Sequence, residues 1–256
     1  MARQARAESP TGYYHIMMRG NNAEAIFEFD EQKKFFLSLL HQEEALIEIV
    51  AYCIMNNHVH IITKCEITDL SKAIKRLNIR YAMKYNYLNN RVAHVFQDRY
   101  KSEIITSEIY LNEVIRYVHN NPVAAQIVEK AENYPWSSYN EYLRNIKIIS
   151  RKQKEFIMKL FSNNKEVFKN FHVKKDRYEY LDTKETIENI RIKNAQELIT
   201  EYCEEKGITK RKQIIKNQTN LHEIVKKLLT NTKLTHRQIS KLLEISSSLV
   251  HEINLQ

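Results

Sequence analysis

An α+β fold is predicted for the first part of the chain, and two observations predict it. Short β-branched runs alternate with amphipathic stretches in the order β-α-β-β-α-β, with one more helix behind them. That order is the ferredoxin-like split βαβ arrangement, an antiparallel sheet with an added helix. The strand signals then cease near Tyr139, and the remainder reads as an all-α region ending in a helix-turn-helix. The division expected is a sheet domain over 1–143, a basic helical linker over 144–183, and a helical region over 184–256.

The elements follow from local pattern. Tyr13 to Arg19 is a strand broken by Gly20-Asn21-Asn22. Residues 30–46 place Phe35, Phe36, Leu39 and Leu40 at helical spacing, with Asp30 as N-cap. Ile47 to Ile54 is β-branched, Asn56-Asn57 signals a hairpin turn, and His58 to Lys64 returns as the partner strand. Thr68 or Asp69 caps a long helix to about Leu88, with Leu70, Ile74, Leu77 and Tyr81 on one face. Lys101 to Thr106 is another strand. Ser107 caps the next helix, and Pro122 is expected to stop it. From Lys184 onward the pattern is of short helices. Within 234–254, Thr235 and Gln238 have capping-box spacing, and Ile239, Leu242, Leu243, Ile245, Val250 and Ile253 form a small core. Ser246 can cap the second helix, whose Ser247, Ser248 and His251 would face a DNA major groove. A generic three-helix bundle fits the same pattern. Glu244 stands at the turn where glycine is usual.

Composition excludes several classes. Only three glycines and three prolines occur among 256 residues, so there is no glycine-rich phosphate loop. No apolar run has the length of a membrane span, and the first residues lack a signal-peptide core. Cys53, Cys65 and Cys203 share no metal-ligand spacing, and a reducing cytoplasm, close to the nucleoid, is the expected setting. The net charge of +9 is uneven: residues 1–145 carry 17 basic and 17 acidic residues, whereas 146–256 carry 23 and 14. A basic module that binds a polyanion, joined to a neutral one, is the implied organisation. Residues 72–101 are locally basic as well, with Lys72, Lys75, Arg76, Arg80, Lys84, Arg91, Arg99 and Lys101 against Asp98.

The chemistry-bearing residues lie in two places. His58 and His60 alternate with Val59 and Ile61 along a strand, so both imidazoles share one face. Taken alone, such a pair fits core packing as well as half of a divalent-metal site. The helix ending Arg116-Tyr117-Val118-His119-Asn120-Asn121-Pro122 sets a phenol and a carboxamide at i and i+4. Leu111, Val114, Ile115 and Val118 form the buried stripe of that helix, with Tyr117 at its edge. Tyr110, two turns earlier, is the runner-up nucleophile. His15 sits on a neighbouring strand, either behind the metal ligands or as a structural histidine.

Five segments together resemble the REP-associated tyrosine transposases, of the one-tyrosine HUH single-strand DNA transposases. They are Tyr13 to Asn22, Ala51 to His60, Phe96-Gln97-Asp98-Arg99-Tyr100-Lys101-Ser102, Arg116 to Val123, and Tyr134-Pro135-Trp136-Ser137-Ser138-Tyr139. The resemblance covers roughly residues 8–142. It implies that 1–143 is the catalytic domain, that His58 and His60 ligate Mg²⁺ or Mn²⁺ with Asn121 as third ligand, and that Tyr117 is the nucleophile. A hard cation held by two imidazoles needs further oxygen ligands, and such an open site suits a Lewis acid acting on a phosphate. The implied substrate is single-stranded or hairpin DNA, bound by a monomer or a homodimer. Arg19, Arg76, Arg80, Arg99 and Lys101 are the residues assigned to its backbone, and Trp136 and Tyr139 to base stacking or core packing. The chain departs from the family in having Asn56 before Asn57-His58, where proline is usual. It also has Ala124-Ala125-Gln126 where Arg-Ala-Gly often follows.

The expectation is a metal-dependent single-strand endonuclease and strand transferase working through a 5′-phosphotyrosine. The alternatives are a domesticated, non-catalytic DNA-binding regulator using the helix-turn-helix, and a nuclease with water as nucleophile.

Overall fold

The computed structural model describes residues 6–174, 180–208 and 212–255. The chain divides into two compact units, Met1–Asp182 and Thr183–Gln256.

The first unit contains β1 (Tyr13–Arg19), α1 (Asp30–His41), β2 (Glu48–Ile54), β3 (His58–Lys64), α2 (Ile67–Leu88), β4 (Lys101–Ile105) and α3 (Glu108–Ala124). Three shorter helices follow: α4 (Tyr139–Leu143), α5 (Arg151–Leu160) and α6 (Lys165–His172). The four strands form one antiparallel sheet in the order β2-β3-β1-β4. A register shift between Ile49 and Ala51 kinks β2. Val59 and Ile61 are fully buried, as are Phe27 and Phe36, whose rings pack against Tyr81 of α2. The segment expected to be a linker contributes α5 and α6 to this unit, and Phe168 of α6 is fully buried against Tyr142.

Four helix boundaries differ from the sequence expectation, the first being the end of α1 at His41 rather than near residue 46. Asp30 is the first helical residue rather than the cap: Phe29 precedes it, and its amide donates to Gln32 Oε1 at 3.0 Å. α2 begins at Ile67 behind Glu66, so Asp69 lies inside the first turn, where its charge still opposes the helix dipole favourably. Pro122 lies within α3 instead of ending it. A proline removes one i→i−4 bond, and so close to the C-terminus the remaining turn is held by Ala125 N–H donating to the Asn121 carbonyl at 3.0 Å. Ser107 does cap α3, accepting from the Tyr110 amide at 3.1 Å.

The second unit is wholly helical over its described residues: α7 (Lys184–Glu205), α8 (Lys212–Lys216), α9 (Gln218–Asn231), α10 (His236–Leu243) and α11 (Ser247–Leu255). α7 spans 22 residues, against the short helices expected. Its charged surface masks a sparse stripe, Ala195, Ile199 and Tyr202, which is buried in the same core as Ile224 and Leu228 of α9. Ile239, Leu243, Val250 and Ile253 are buried in that core, with Leu242 and Ile245 partly so. The Thr235–Gln238 capping box forms, and Ser246 Oγ accepts from the Leu249 amide at 3.2 Å.

Glu244 at the α10–α11 turn adopts φ 56° and ψ 41°, the left-handed conformation that costs a side-chain-bearing residue about 1 kcal/mol. Glu244→Gly is therefore expected to stabilise the second unit by roughly 0.5–1 kcal/mol, raising its melting temperature by about 3–6 °C. Calorimetry of the full chain checks this; an unchanged or lower transition would show that the turn is not strained.

Candidate active site and metal centre

The antiparallel register assembles the site. His15 pairs with Glu103 across β1 and β4, while Met17 pairs with His60 and Arg19 with His58 across β1 and β3. Directly opposed residues share a face, so His15, Arg19, His58, His60, Lys101 and Glu103 all project from one side of the sheet. The hairpin that carries His58 is pinned from outside. Gly20 N–H donates to the Asn57 carbonyl, and Phe27 N–H to the Asn56 carbonyl, each at 2.8 Å. Only glycine fits at position 20, since a Cβ there would meet the Glu24 carbonyl oxygen at 2.3 Å.

α3 brings Tyr117 and Asn121 to the same place. The Tyr117 ring stands edge-on to His60 at 5.7 Å and to His15 at 6.2 Å. The Asn121 amide nitrogen lies 3.3 Å from the Tyr117 hydroxyl and 3.4 Å from His60 Nε2. The four residues singled out in the sequence are thus neighbours, all buried. Tyr110 is not among them: its hydroxyl donates to Glu103 Oε1 at 2.6 Å.

A carboxylate that the sequence reading missed completes the group. Tyr117 donates its hydroxyl hydrogen to Asp182 Oδ2. Asp182 Oδ1 lies 3.7 Å from His60 Nε2 and 4.0 Å from His58 Nε2. One ligand atom each from His58, His60 and Asp182 lie within 4.8 Å of one another. Tyr180 covers the arrangement, stacking on Tyr117 at 4.2 Å between ring centroids. No sequence signal marked Asp182, one of several acids interleaved with lysine and arginine, 61 residues beyond Asn121.

Hydrogen bonds set the tautomers of both histidines. His58 Nδ1 lies 2.6 Å from Asn57 Oδ1, so that nitrogen carries the proton and Nε2 is bare. His60 Nδ1 lies 3.0 Å from His15 Nε2, and His15 Nδ1 lies 3.6 Å from Glu103 Oε2. An ionised carboxylate only accepts, and Glu103 already accepts from Tyr110 and, at 3.3 Å, from the Leu181 amide. At 3.6 Å the Glu103 charge is beyond hydrogen-bond reach but still favours the proton on His15 Nδ1, so His15 Nε2 accepts from His60 Nδ1 and His60 Nε2 is left bare. Burial, followed by the neighbouring His60, lowers the His58 pKa to about 3. Burial likewise lowers that of His15, partly countered by Glu103. Neutral imidazoles with bare, converging Nε2 atoms are what a metal ion requires. His58 Nε2 and Asn121 Oδ1 are both buried without a hydrogen-bond partner, which also fits a cation centre.

The remaining expected residues are dispersed. Arg19, on the site face, is half-buried. Arg76 is exposed but paired with Glu43, Nε to Oε2 being 3.0 Å. Arg80, Arg99 and Lys101 are exposed. Tyr139 is buried against Phe168 and His172 and so is packing rather than a base-stacking platform. Trp136 is half-buried with Lys33 Nζ 5.8 Å from its ring. In the second unit Ser247, Ser248 and His251 are exposed on α11. Among the described residues no helix is long and apolar enough to cross a membrane.

Comparison with known proteins bears on this geometry. Residues 9–121 match the family model described as "Transposase IS200 like". Among solved structures, a REP-associated tyrosine transposase bound to a REP hairpin is similar at 15% identity, covering 59% of this chain and 98% of that one, with a TM-score of 0.46. A protein assigned as a transposase from Deinococcus radiodurans R1 is similar at 19% identity, covering 47% and 95%, with a TM-score of 0.33. No curated protein matches the chain. The matched residues carry all four strands, both histidines, Tyr117 and Asn121, and over them the chain is similar to the IS200-like transposases.

Proposed function

We propose that the protein cleaves and rejoins single-stranded DNA through a covalent bond between Tyr117 and a 5′-phosphate, with a divalent cation, Mg²⁺ or Mn²⁺, at His58, His60 and Asn121. One observation carries this reading. The two oxygens of Asp182 meet the Tyr117 hydroxyl on one side and the two bare imidazole nitrogens on the other. A scissile phosphate in this place makes the same two kinds of contact, one oxygen toward a cation and the phosphorus toward the tyrosine. Tyr117 is 4% exposed beneath Tyr180, so a phosphodiester reaches its oxygen only with Tyr180 and Asp182 displaced.

In the reaction the Tyr117 oxygen forms a bond to phosphorus, losing its proton, and the bond from phosphorus to the 3′-oxygen breaks to leave a 3′-hydroxyl. The phosphotyrosine is itself a phosphodiester, so a 3′-hydroxyl can reverse the step without a nucleotide cofactor. The cation, when bound, supplies Lewis-acid polarisation of the phosphate. His58, kept neutral by burial, and His60 would hold it through their bare Nε2 atoms, and Asn121 would turn its amide oxygen toward it.

The sheet order β2-β3-β1-β4 is that of the ferredoxin-like split βαβ fold, with α3 as the added catalytic helix. The first unit is proposed as the catalytic domain, and α10–α11 as a helix-turn-helix presenting Ser247, Ser248 and His251 to duplex DNA. A REP hairpin is the ligand of the first structural neighbour, and hairpin-bearing single strands are proposed as the substrate here.

The test uses the full chain with end-labelled, hairpin-bearing single strands and Mn²⁺ or Mg²⁺, resolved after denaturation. A covalent adduct is expected for the native protein and none for Tyr117→Phe. Cleavage that persists in Tyr117→Phe would identify water as the nucleophile. No cleavage with either ion would favour the non-catalytic regulator, for which the exposed α11 face is the specific support.

A further inference from the structure

The first unit has a second feature suited to DNA, away from the histidines and outside the family-matched residues. A groove of about 600 Å³ is lined by Arg144, Arg151, Lys154 and Lys165, with Asn145 and Asn163 beside them. Glu155 is the single acid in its lining. Some surface cations elsewhere in this unit are paired with carboxylates, Arg76 with Glu43, Arg91 with Glu24, Lys152 with Glu48 and Lys169 with Glu166, whereas others such as Arg80 and Arg99 are not; the groove differs in bringing four cations to one cleft. Among the described residues, the side chains of Arg144, Arg151 and Lys165 have neither an ion pair nor a hydrogen bond.

The nearest buried acid, Glu141, offsets the groove's charge only in part. Glu141 Oε1 accepts from the Tyr52 hydroxyl at 2.6 Å, and Oε2 accepts from the amides of Lys147 and Ile148 at 2.6 and 2.8 Å. These bonds hold the α4–α5 loop that forms the rim; the Glu141 charge offsets part of the repulsion at Lys154 and forms no ion pair with Arg144, Arg151 or Lys165. Lys154 is fixed in turn, its Nζ donating to the carbonyls of Glu141 and Arg144. Burial, and next the charge of Lys165, lower the Lys154 pKa. Four cations held around one cleft repel each other, and an anion relieves that repulsion.

We infer that this groove is a second DNA-contact surface, which grips the phosphodiester backbone of the strand engaged at the catalytic centre. The inference rests on the proposed activity for the identity of the anion. Arginine supplies paired N–H donors to phosphate oxygens, and the two asparagines supply neutral donors. The cleft lacks aromatic side chains apart from Tyr142, which is buried and bonded to the Val50 carbonyl at 2.8 Å. The contact is therefore to backbone, without base reading.

The experiment compares the native chain with Arg144→Ala/Arg151→Ala/Lys165→Ala, whose changed side chains are exposed and whose fold is checked by thermal melting. Anisotropy of a fluorescein-labelled, hairpin-bearing single strand is followed across a salt series. The expected result is a roughly 10- to 100-fold loss of affinity and a salt dependence shallower by about two counterions. Unchanged affinity and slope overturn the groove as a DNA surface. The catalytic reading has its own test in the Tyr117 adduct. Inorganic phosphate separates the other source of the same chemistry. If it raises the melting temperature of the native chain but not of the triple variant, while DNA binding is equal, the groove holds free phosphate and the DNA assignment falls.

Discussion

His15→Phe is expected to weaken Mn²⁺ binding about 10- to 100-fold in a protein that still folds. His15 Nε2 is the acceptor for the proton on His60 Nδ1 at 3.0 Å, and Glu103 orients His15 from across the sheet. Phenylalanine retains an aromatic ring against His60 and Tyr117 but accepts no hydrogen bond. The buried His60 N–H is then left unpaired, at a cost of about 1–3 kcal/mol. Moving the proton to Nε2, which faces Asp182 Oδ1 at 3.7 Å, avoids that cost and blocks the nitrogen that faces the centre. Titration of Mn²⁺ followed by electron paramagnetic resonance gives the affinity, and ¹⁵N spectra of the metal-free protein give the tautomer of His60. A variant with native affinity and His60 still protonated at Nδ1 would show that His15 only fills space. Glu103→Ala, at a site whose side chain is 31% exposed, tests the same line with less risk to the fold and is expected to have a smaller effect in the same direction.

Acidification from pH 7 to pH 5 is expected to destabilise the first unit in the presence of a chelator, with about 4 kcal/mol, near a thousandfold in the unfolding equilibrium, coming from one buried histidine pair in addition to His58 and His15. That pair lies behind Tyr117 on α3. His172 Nδ1 donates to the Phe168 carbonyl at 2.8 Å, so its Nε2 is an acceptor. It receives the proton of His119 Nδ1 at 2.9 Å, and His119 Nε2 in turn lies 2.9 Å from Ser138 Oγ. A proton added to His172 Nε2 would point at the His119 N–H. Burial lowers the His172 pKa to about 4 and that of His119 well below its ordinary value. Unfolded, both titrate near 6.5. Between 6.5 and about 4 the unfolded chain therefore binds more protons, and stability falls as pH falls. Urea denaturation at the two pH values reads the difference. A midpoint that does not move would refute the neutral pair, and His172→Phe is expected to make the pH dependence shallower by the share of one histidine, about 2 kcal/mol.

How far the sequence could be read depended on the range of the interaction involved. The order of strands and helices, the hairpin before His58, the Ser107 cap and the core of α10 and α11 all follow from periodicity and turn chemistry within a few residues. Pro122 misled because the rule for proline is local, while the last turn of α3 is held by bonds on either side of it. The long α7 was hidden because a helix packed along one narrow stripe shows little periodic signal among its charges.

The grouping of His58, His60, Tyr117 and Asn121 was legible as a set of side-chain types with suitable spacing on two elements. The sequence by itself determined that these four side chains lie on one strand and one helix, on faces that could meet. Only the tertiary structure decided how they are wired, because strand register brings His15 and Glu103 behind His60 and chain return brings Tyr180 and Asp182 over Tyr117. Those contacts join residues tens of positions apart. Packing and the requirement that buried polar groups find partners select them, and no local pattern records that selection.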